Sequence, residues 1–381
     1  MRIPFGRPVL DEAEKAAVRE VLDNPILVHG PRATAFEEAF AEYTGAAYAI
    51  SVSSCTAGLH LFYFCKGVGA GDEVIVPAMT HTATAHAVEL TGATPVYVDC
   101  EAQTGNIDTD AIEAAITDQT RAISVVHYLG MPVDMFRVNE IAKRHDLLVL
   151  EDSALAVGSR LDGTHAGLFG DAGVFSFYPV KHMTTAEGGM VITNDASLAE
   201  ALRLKKAFGV DRTHCERAVP GMYDVVTLGF NYRMSEIHAA IGIEQVKKLS
   251  GFLDARESNY QKLESLLRGI EEVETLKSSD GRFKSSYYCL NIVLDDKLTD
   301  NRPVIMESMK ADGVGTSVYY PQPVPRMTYY REKYGYEGNR FPNAERMSDR
   351  TIALPVGPHL DTEDMATVAE ALKSAIRKAD Q

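Results

Sequence analysis

Residues 170–195 read GDAGVFSFYPVKHMTTAEGGMVITND. Two short apolar runs, Gly173–Phe177 and Gly189–Thr193, enclose a polar loop that carries Lys181. Runs of this kind, apolar at nearly every position, are what strands buried on both faces look like. The loop places Ser176 before the lysine, and Thr184, Thr185, Gly188 and Gly189 after it. Hydroxyls can hold an anion, and glycines let backbone come close. Loop ends beside a sheet are where ligands gather in α/β folds. Most lysines are solvated charges. One held in a partly desolvated loop can lose its proton and attack a carbonyl.

Working outward, similar apolar runs recur at Ala47–Val52, Glu73–Val76, Pro95–Val98, Ala122–His127 and Leu147–Glu151. Helical patterns lie between many of them, at Ala57–Cys65, Thr82–Leu90, Thr109–Ile116 and Met135–His145. This alternation predicts an α/β fold: a mostly parallel seven-stranded sheet covered by helices. After Thr193 the rhythm changes. Helices are expected at Leu198–Ala207, Ser235–Leu249, Asp254–Leu267 and Val304–Lys310, strands at Tyr287–Leu294 and Thr316–Tyr320, and a final helix opened by Asp361. A boundary near Leu249–Phe252 divides the chain into a large unit, 1–249, and a smaller α+β unit, 250–381.

The 381 residues carry 53 acids against 38 bases, a formal net charge of −15. That balance argues against a phosphate-tracking nucleic-acid surface. No apolar run reaches the length of a membrane span, and the first residues lack a signal peptide's apolar core. The five cysteines, Cys55, Cys65, Cys100, Cys215 and Cys289, show no C-x-x-C spacing, so no zinc or redox motif is visible and no metal site is expected. A reducing cytoplasm is the expected compartment.

Three further segments carry chemistry. Glu151-Asp152 ends an apolar strand, and a buried acid there needs a cationic or hydrogen-bonding partner. Ser53-Ser54-Cys55-Thr56-Ala57-Gly58 follows a strand and opens a helix, whose first amides form an anion site. His81 follows the strand ending at Val76 and offers a flat ring. A reactive lysine, a strand-end acid, a phosphate cradle and a ring face together match what pyridoxal phosphate demands.

With these residues in view, the sequence resembles the DegT/DnrJ/EryC1/StrS family of pyridoxal-phosphate-dependent sugar aminotransferases, of the aspartate-aminotransferase fold type. The resemblance runs from Phe5-Gly6-Arg7-Pro8 to Leu354-Pro355. It is carried by the Lys181 stretch, VSSCTAGLHL, Glu151-Asp152 and Gly229-Phe230-Asn231-Tyr232-Arg233-Met234-Ser235. It implies that Lys181 forms the Schiff base and that Asp152 pairs with the pyridinium nitrogen. It further implies that Thr56 and Ala57 give amides to the phosphate, that Ser176 adds a hydroxyl, and that His81 stacks on the ring. Asn231 would reach the phosphate of a neighbouring subunit, making a homodimer with shared sites. His182, Arg233 and Tyr320 are the candidates for substrate contact. The implied reaction moves an amino group from an amino acid, glutamate first, to a keto-sugar, nucleotide-linked and of the 4-keto-6-deoxy or 3-keto type.

The chain departs from the family pattern in three places. Cys55 and Gly58 replace a glycine and an alanine in the phosphate loop. Leu155 stands where a glutamine is usual, and Pro325 stands near the place of a usual histidine. A sugar dehydratase on the same scaffold carries histidine in place of the lysine, and Lys181 argues against it. A silent cofactor-binding regulator lacks support for the same reason. A thiol enzyme built on Cys55 is the alternative from another class. A dinucleotide fold fails because Gly67-Val68-Gly69-Ala70-Gly71 follows a helix and precedes a strand, the reverse of that fingerprint.

Overall fold

A computed structural model describes residues 2–211, 219 and 222–379. Cys215 lies outside the described residues. The apolar runs form seven strands: β1 Tyr48–Val52, β2 Glu73–Pro77, β3 Thr94–Val98, β4 Thr120–Val126, β5 Leu148–Asp152, β6 Ala172–Ser176 and β7 Gly189–Thr193. They make one sheet in the order β1-β7-β6-β5-β4-β2-β3. The pairs from β6 through β3 are parallel, whereas β7 runs antiparallel to both β1 and β6. The connection explains the exception. Loop 177–188 contains no helix to carry the chain across the sheet, so the chain turns back on itself.

Because β7 is reversed, its first residue meets the last residues of its neighbours. Gly189 pairs with Val52 on one side and Ser176 on the other. Asp152 lies beside Val126 and Val174 on the same edge. This is the carboxyl edge of a mostly parallel sheet, where ligands bind in such folds. Strand alternation then divides the core. Val174 and Val191 pack with Leu59, Phe62 and Tyr63 on one face. Phe175, Phe177 and Ile192 pack with Phe36 and Phe40 on the other.

Helices α1 Glu12–Leu22 and α2 Pro31–Thr44 precede the sheet, and neither is among the elements expected from the sequence. Helices α3 Cys55–Cys65, α4 Thr82–Glu89 and α5 Met135–His145 connect the strands, and α6 Ala196–Lys205 follows β7. Residues 109–116, expected as a helix, form only a 3-10 turn at Glu113–Ala115. The two helices expected on either side of residue 250 are one, α7 Glu236–Leu267, of 32 residues. Gly251 interrupts the pattern but faces open space, and one exposed glycine costs a helix only about 1 kcal/mol. Packing along α1 and α2 outweighs that.

The helix therefore runs unbroken through the expected boundary at 249. Beyond it, β8 Val273–Thr275, β9 Leu290–Leu294 and β10 Thr351–Leu354 form an antiparallel sheet. Helices α8 Arg302–Ala311, α9 Thr328–Tyr334, α10 Pro342–Arg350 and α11 Asp364–Ala379 complete this part. Its core includes Ile3, whose backbone bridges Val314. Residues 316–320 contribute a single bridge, Ser317 to Ala353, rather than a strand, and they lead straight into a proline-rich turn. Asp361 caps the turn ahead of α11 by accepting the amides of Glu363 and Asp364.

Candidate active site

Lys181 lies in loop 177–188, tied down at both ends. Phe177 N–H donates to Gly188 O at 3.0 Å, Thr185 N–H to Phe177 O at 3.0 Å, and Lys181 N–H to Tyr178 O at 2.9 Å. The loop returns into β7 through Gly189, where a Cβ would stand 2.6 Å from the Cys55 nitrogen. Only glycine lets the lysine loop and the start of α3 come that close. Lys181 is half-buried, with Nζ 5.6 Å from the centre of the Tyr288 ring. Lost hydration pulls its pKa below the ordinary 10.5, and Asp152 opposes the shift. Cys55 supplies no charge here. Burial, reinforced by Asp152, pushes its thiol well above 9.0, so it is neutral at pH 7 and no nucleophile.

Alternation along β5 sends Glu151 and Asp152 to opposite faces. Glu151 is fully buried and accepts the amides of Gly167, Phe169 and Gly170, each at 2.7 Å. His127 Nδ1 accepts the Val133 amide, so its Nε2 carries the proton and donates to Glu151 at 2.9 Å. Glu151 thus organises the 165–170 turn. Asp152, 4% exposed, faces the other way. Its Oδ2 accepts from Thr84 Oγ1 at 2.8 Å and its Oδ1 from Ala154 N–H at 3.1 Å. Among the described residues no lysine, arginine or histidine forms an ion pair with it. A buried carboxylate held by neutral donors alone leaves room for a cation.

Ser54 caps α3, and its Oγ accepts the Ala57 amide at 3.1 Å. Of the two amides expected to hold a phosphate, Ala57's is thereby engaged. Thr56's is one of the first-turn donors that a helix cannot satisfy itself. Gly58 packs on the sheet so tightly that a Cβ would meet Val174 Cγ1 at 2.7 Å, which accounts for glycine here. Ser176 ends β6 with a largely buried hydroxyl. His81 caps α4 through Nδ1, which accepts the Ala83 amide at 3.1 Å. Its ring meets Tyr320 edge-on at 5.6 Å. Desolvation first, and the Lys181 charge second, hold it below the ordinary 6.5. Leu155 packs with Tyr128 and Tyr320 in an apolar cluster and offers no polar side-chain atom.

Two of the residues expected to touch substrate or phosphate, Asn231 and Arg233, bond to each other. Asn231 is exposed and accepts Arg233 Nε–H at 3.0 Å. Arg233 also donates to His29 Nε2 at 2.8 Å and covers the Phe208 ring. Neither is tied to Lys181 within one chain. The backbone between them still touches the phosphate loop, since Ser53 N–H donates to Tyr232 O at 2.8 Å. His182, a candidate for substrate contact, faces inward. It is 2% exposed, with Nε2 donating to Ser286 O at 3.1 Å, so it supports the loop from behind. Burial, then Arg256, pushes it well below 6.5 and keeps it neutral. Thr84 and Tyr288, which touch Asp152 and flank Lys181, were not singled out in the sequence. The Thr80-x-x-x-Thr84 spacing was the available signal.

The profile of the DegT/DnrJ/EryC1/StrS aminotransferase family matches residues 8–373. This chain belongs to that family. The spore coat polysaccharide biosynthesis protein SpsC of Bacillus subtilis is 35% identical over 384 residues, covering 99% of this chain and 98% of that one. Helicobacter pylori PseC, an aminotransferase involved in the biosynthesis of pseudoaminic acid, superposes with a TM-score of 0.93. It is 30% identical and covers 99% and 100% of the two chains. DesI, solved in the presence of its TDP-sugar product, superposes at 0.89, with 32% identity over 100% of this chain and 94% of that one. The family member described here is a pyridoxal-phosphate-dependent sugar aminotransferase. The residues present fit that cofactor: a desolvated amine, a buried acid held by neutral donors, and a helix start with an open amide, all on one sheet edge.

Proposed function

We propose that this sugar aminotransferase takes its amino group from L-glutamate and delivers it to the carbonyl of a nucleotide-linked keto-sugar, of the 4-keto-6-deoxy or 3-keto type. The observation that carries the reading is that Lys181, whose pKa burial lowers, shares the sheet edge with Asp152, a buried acid whose hydrogen-bond donors are all neutral. DesI, with its TDP-sugar product, supports the nucleotide-linked class. Lys181 would carry the cofactor, with Asp152 on its ring nitrogen. Thr56 and Ser176 would hold its phosphate, and His81 would lie against the ring. Ala57, its amide taken by Ser54, would hold the helix start in place. Bound there, pyridoxal phosphate supplies the electron sink. The Lys181 amine takes the proton from the donor's amine-bearing carbon and returns one to the sugar carbon, general acid–base work at close range. Tyr320, whose ring meets His81 edge-on, would line the substrate side of the site.

The site is read as shared between two copies of the chain in a cytoplasmic homodimer. Exposed Met222, Val225, Val226 and Leu228 precede the Asn231–Arg233 segment in the chain, and exposed Ile26, Leu27 and Val28 meet the start of α7 just after it, where Leu27 O accepts the Glu236 amide. Exposed apolar side chains gathered like these are what a second copy would cover. Arg233 would then serve substrate across the interface. The test is mass spectrometry of products from a panel of nucleotide-linked keto-sugars with glutamate. The expected outcome is an amino-sugar nucleotide formed in step with 2-oxoglutarate. Loss of water from the sugar, with glutamate unconsumed, would overturn the reading in favour of a dehydratase.

A further inference from the structure

Asp152 is not held by its strand alone. Thr84 Oγ1 lies 2.8 Å from Asp152 Oδ2, and Thr80 Oγ1 lies 2.7 Å from Thr84 Oγ1. The two threonines are four residues apart on either side of the α4 cap, and they are 0% and 1% exposed. The direction of this chain follows from the proton count. A carboxylate accepts and does not donate, so the Thr84 proton points at Asp152. A hydroxyl has one proton, so Thr80 must be the donor to Thr84. The order is Thr80 to Thr84 to Asp152, and such chains strengthen each bond in them. With Ala154 N–H on the other oxygen, each carboxylate oxygen has one protein donor, which sets the rotation of the group.

A hydroxyl pair at this place is also functionally economical. Helix α4 begins at His81, whose cap fixes where the helix starts. The same helix start therefore places one residue beside Lys181 and another on Asp152. A hydroxyl donor is neutral, so it orients the acid without competing as a counter-ion for its charge. A lysine or arginine in its place would neutralise Asp152 before any ligand arrived.

We propose that Thr84, backed by Thr80, is a positioning residue of the transamination reaction: it aims the Asp152 carboxylate at the ring nitrogen of the cofactor. The inference rests on the reading that Asp152 faces that nitrogen. The test uses cofactor-loaded protein with pyridoxal phosphate labelled with ¹⁵N in the ring, and compares Thr84→Val, Thr84→Ser and Asp152→Asn. Thr84→Val keeps the shape and deletes the hydroxyl, and Thr84→Ser restores it. Thr84→Val is expected to move the ring ¹⁵N shift toward that of an unprotonated pyridine. It should also slow the half-reaction with L-glutamate by about 10- to 100-fold, the range for losing a hydrogen bond to a charged group, with half-saturation by glutamate within about 2-fold. Thr84→Ser is expected to keep the parent shift and rate. A parent-like shift in folded Thr84→Val, with Asp152→Asn clearly displaced, would overturn the role of the threonine alone. A parent-like shift in both would overturn the placement of Asp152 itself. A displaced shift in Thr84→Ser equal to that of Thr84→Val would show that the hydroxyl is not the operative group. Should Thr84→Val fail to fold, Thr80→Val cuts the chain one bond further back. It is expected to shift the signal the same way by less, and an unchanged signal there would count against the proposal.

Discussion

Lys181 loses hydration on folding, and desolvation penalises the ammonium more than the amine. In apoprotein, competitive labelling with acetic anhydride should therefore give Lys181 a reaction midpoint below 10.5, the ordinary lysine value. A midpoint at or above it would contradict the desolvated setting. Asp152→Asn should fold and bind phosphate nearly as tightly, yet lose most turnover. Near-normal turnover would make the acid structural. His165 shows a different consequence of burial. Burial lowers it from 6.5 to about 4, against the opposing pull of its Nδ1–H bond to Ala166 O, and Nε2 accepts the Gly158 amide, so the ring is neutral. The unfolded chain then binds the extra proton first as pH falls below 6.5. Stability should drop by about 2 kcal/mol between pH 7.5 and pH 5 from this residue. The loss should shrink in His165→Gln, measured by denaturant titration at both pH values. Lys181 and Asp152 stood out in the sequence because lysine between two apolar strands, and acid at the end of another, are unusual placements. Thr84 was not, since a threonine inside a helix reads as neutral filler. His182 faces inward, since chain adjacency to Lys181 does not fix which way a side chain points.

At the scale of elements, the seven strands stood out because each is an apolar run long enough to be a buried strand and too short to be a helix. Helices were less legible where burial, rather than local pattern, decides them. Helix α1 has an Asp11 capping box that fixes its start, yet its face is mostly charged. Helix α7 crosses a glycine that reads locally as a break. Residues 316–320 alternate like a strand but find a partner only at Ser317. Packing of α3 on the sheet gives a specific outcome. Alanine is the better helix former, yet Gly58→Ala should destabilise by about 1–3 kcal/mol, because its Cβ would press on Val174 and Val191. Adding Val174→Ala should recover part of the loss in the double variant, read by thermal melting. Additive losses in the pair would show that the contact is not the cause.

For the whole molecule, the feature that bears on assembly is that Asn231 and Arg233 pair with each other and with His29 on an exposed segment, preceded by exposed apolar side chains. With a second copy in place, Asn231→Ala should weaken cofactor binding by about 10- to 100-fold, the range for one hydrogen bond to a charged phosphate. Mixing inactive Lys181→Ala with an inactive Asn231→Ala/Arg233→Ala double variant should restore activity through one intact site in each mixed dimer. A fully active monomer in sedimentation at assay concentration would contradict a shared site. The fold, the sheet edge and the uncompensated acid all converge on one amine among the chain's lysines. Reducing the cofactor-saturated protein with borohydride and mapping the entire chain by mass spectrometry tests that convergence most directly. The account predicts loss of the visible band and a pyridoxyl-phosphate adduct on the peptide containing Lys181. An adduct on any other lysine, or no adduct in saturated protein, would contradict it.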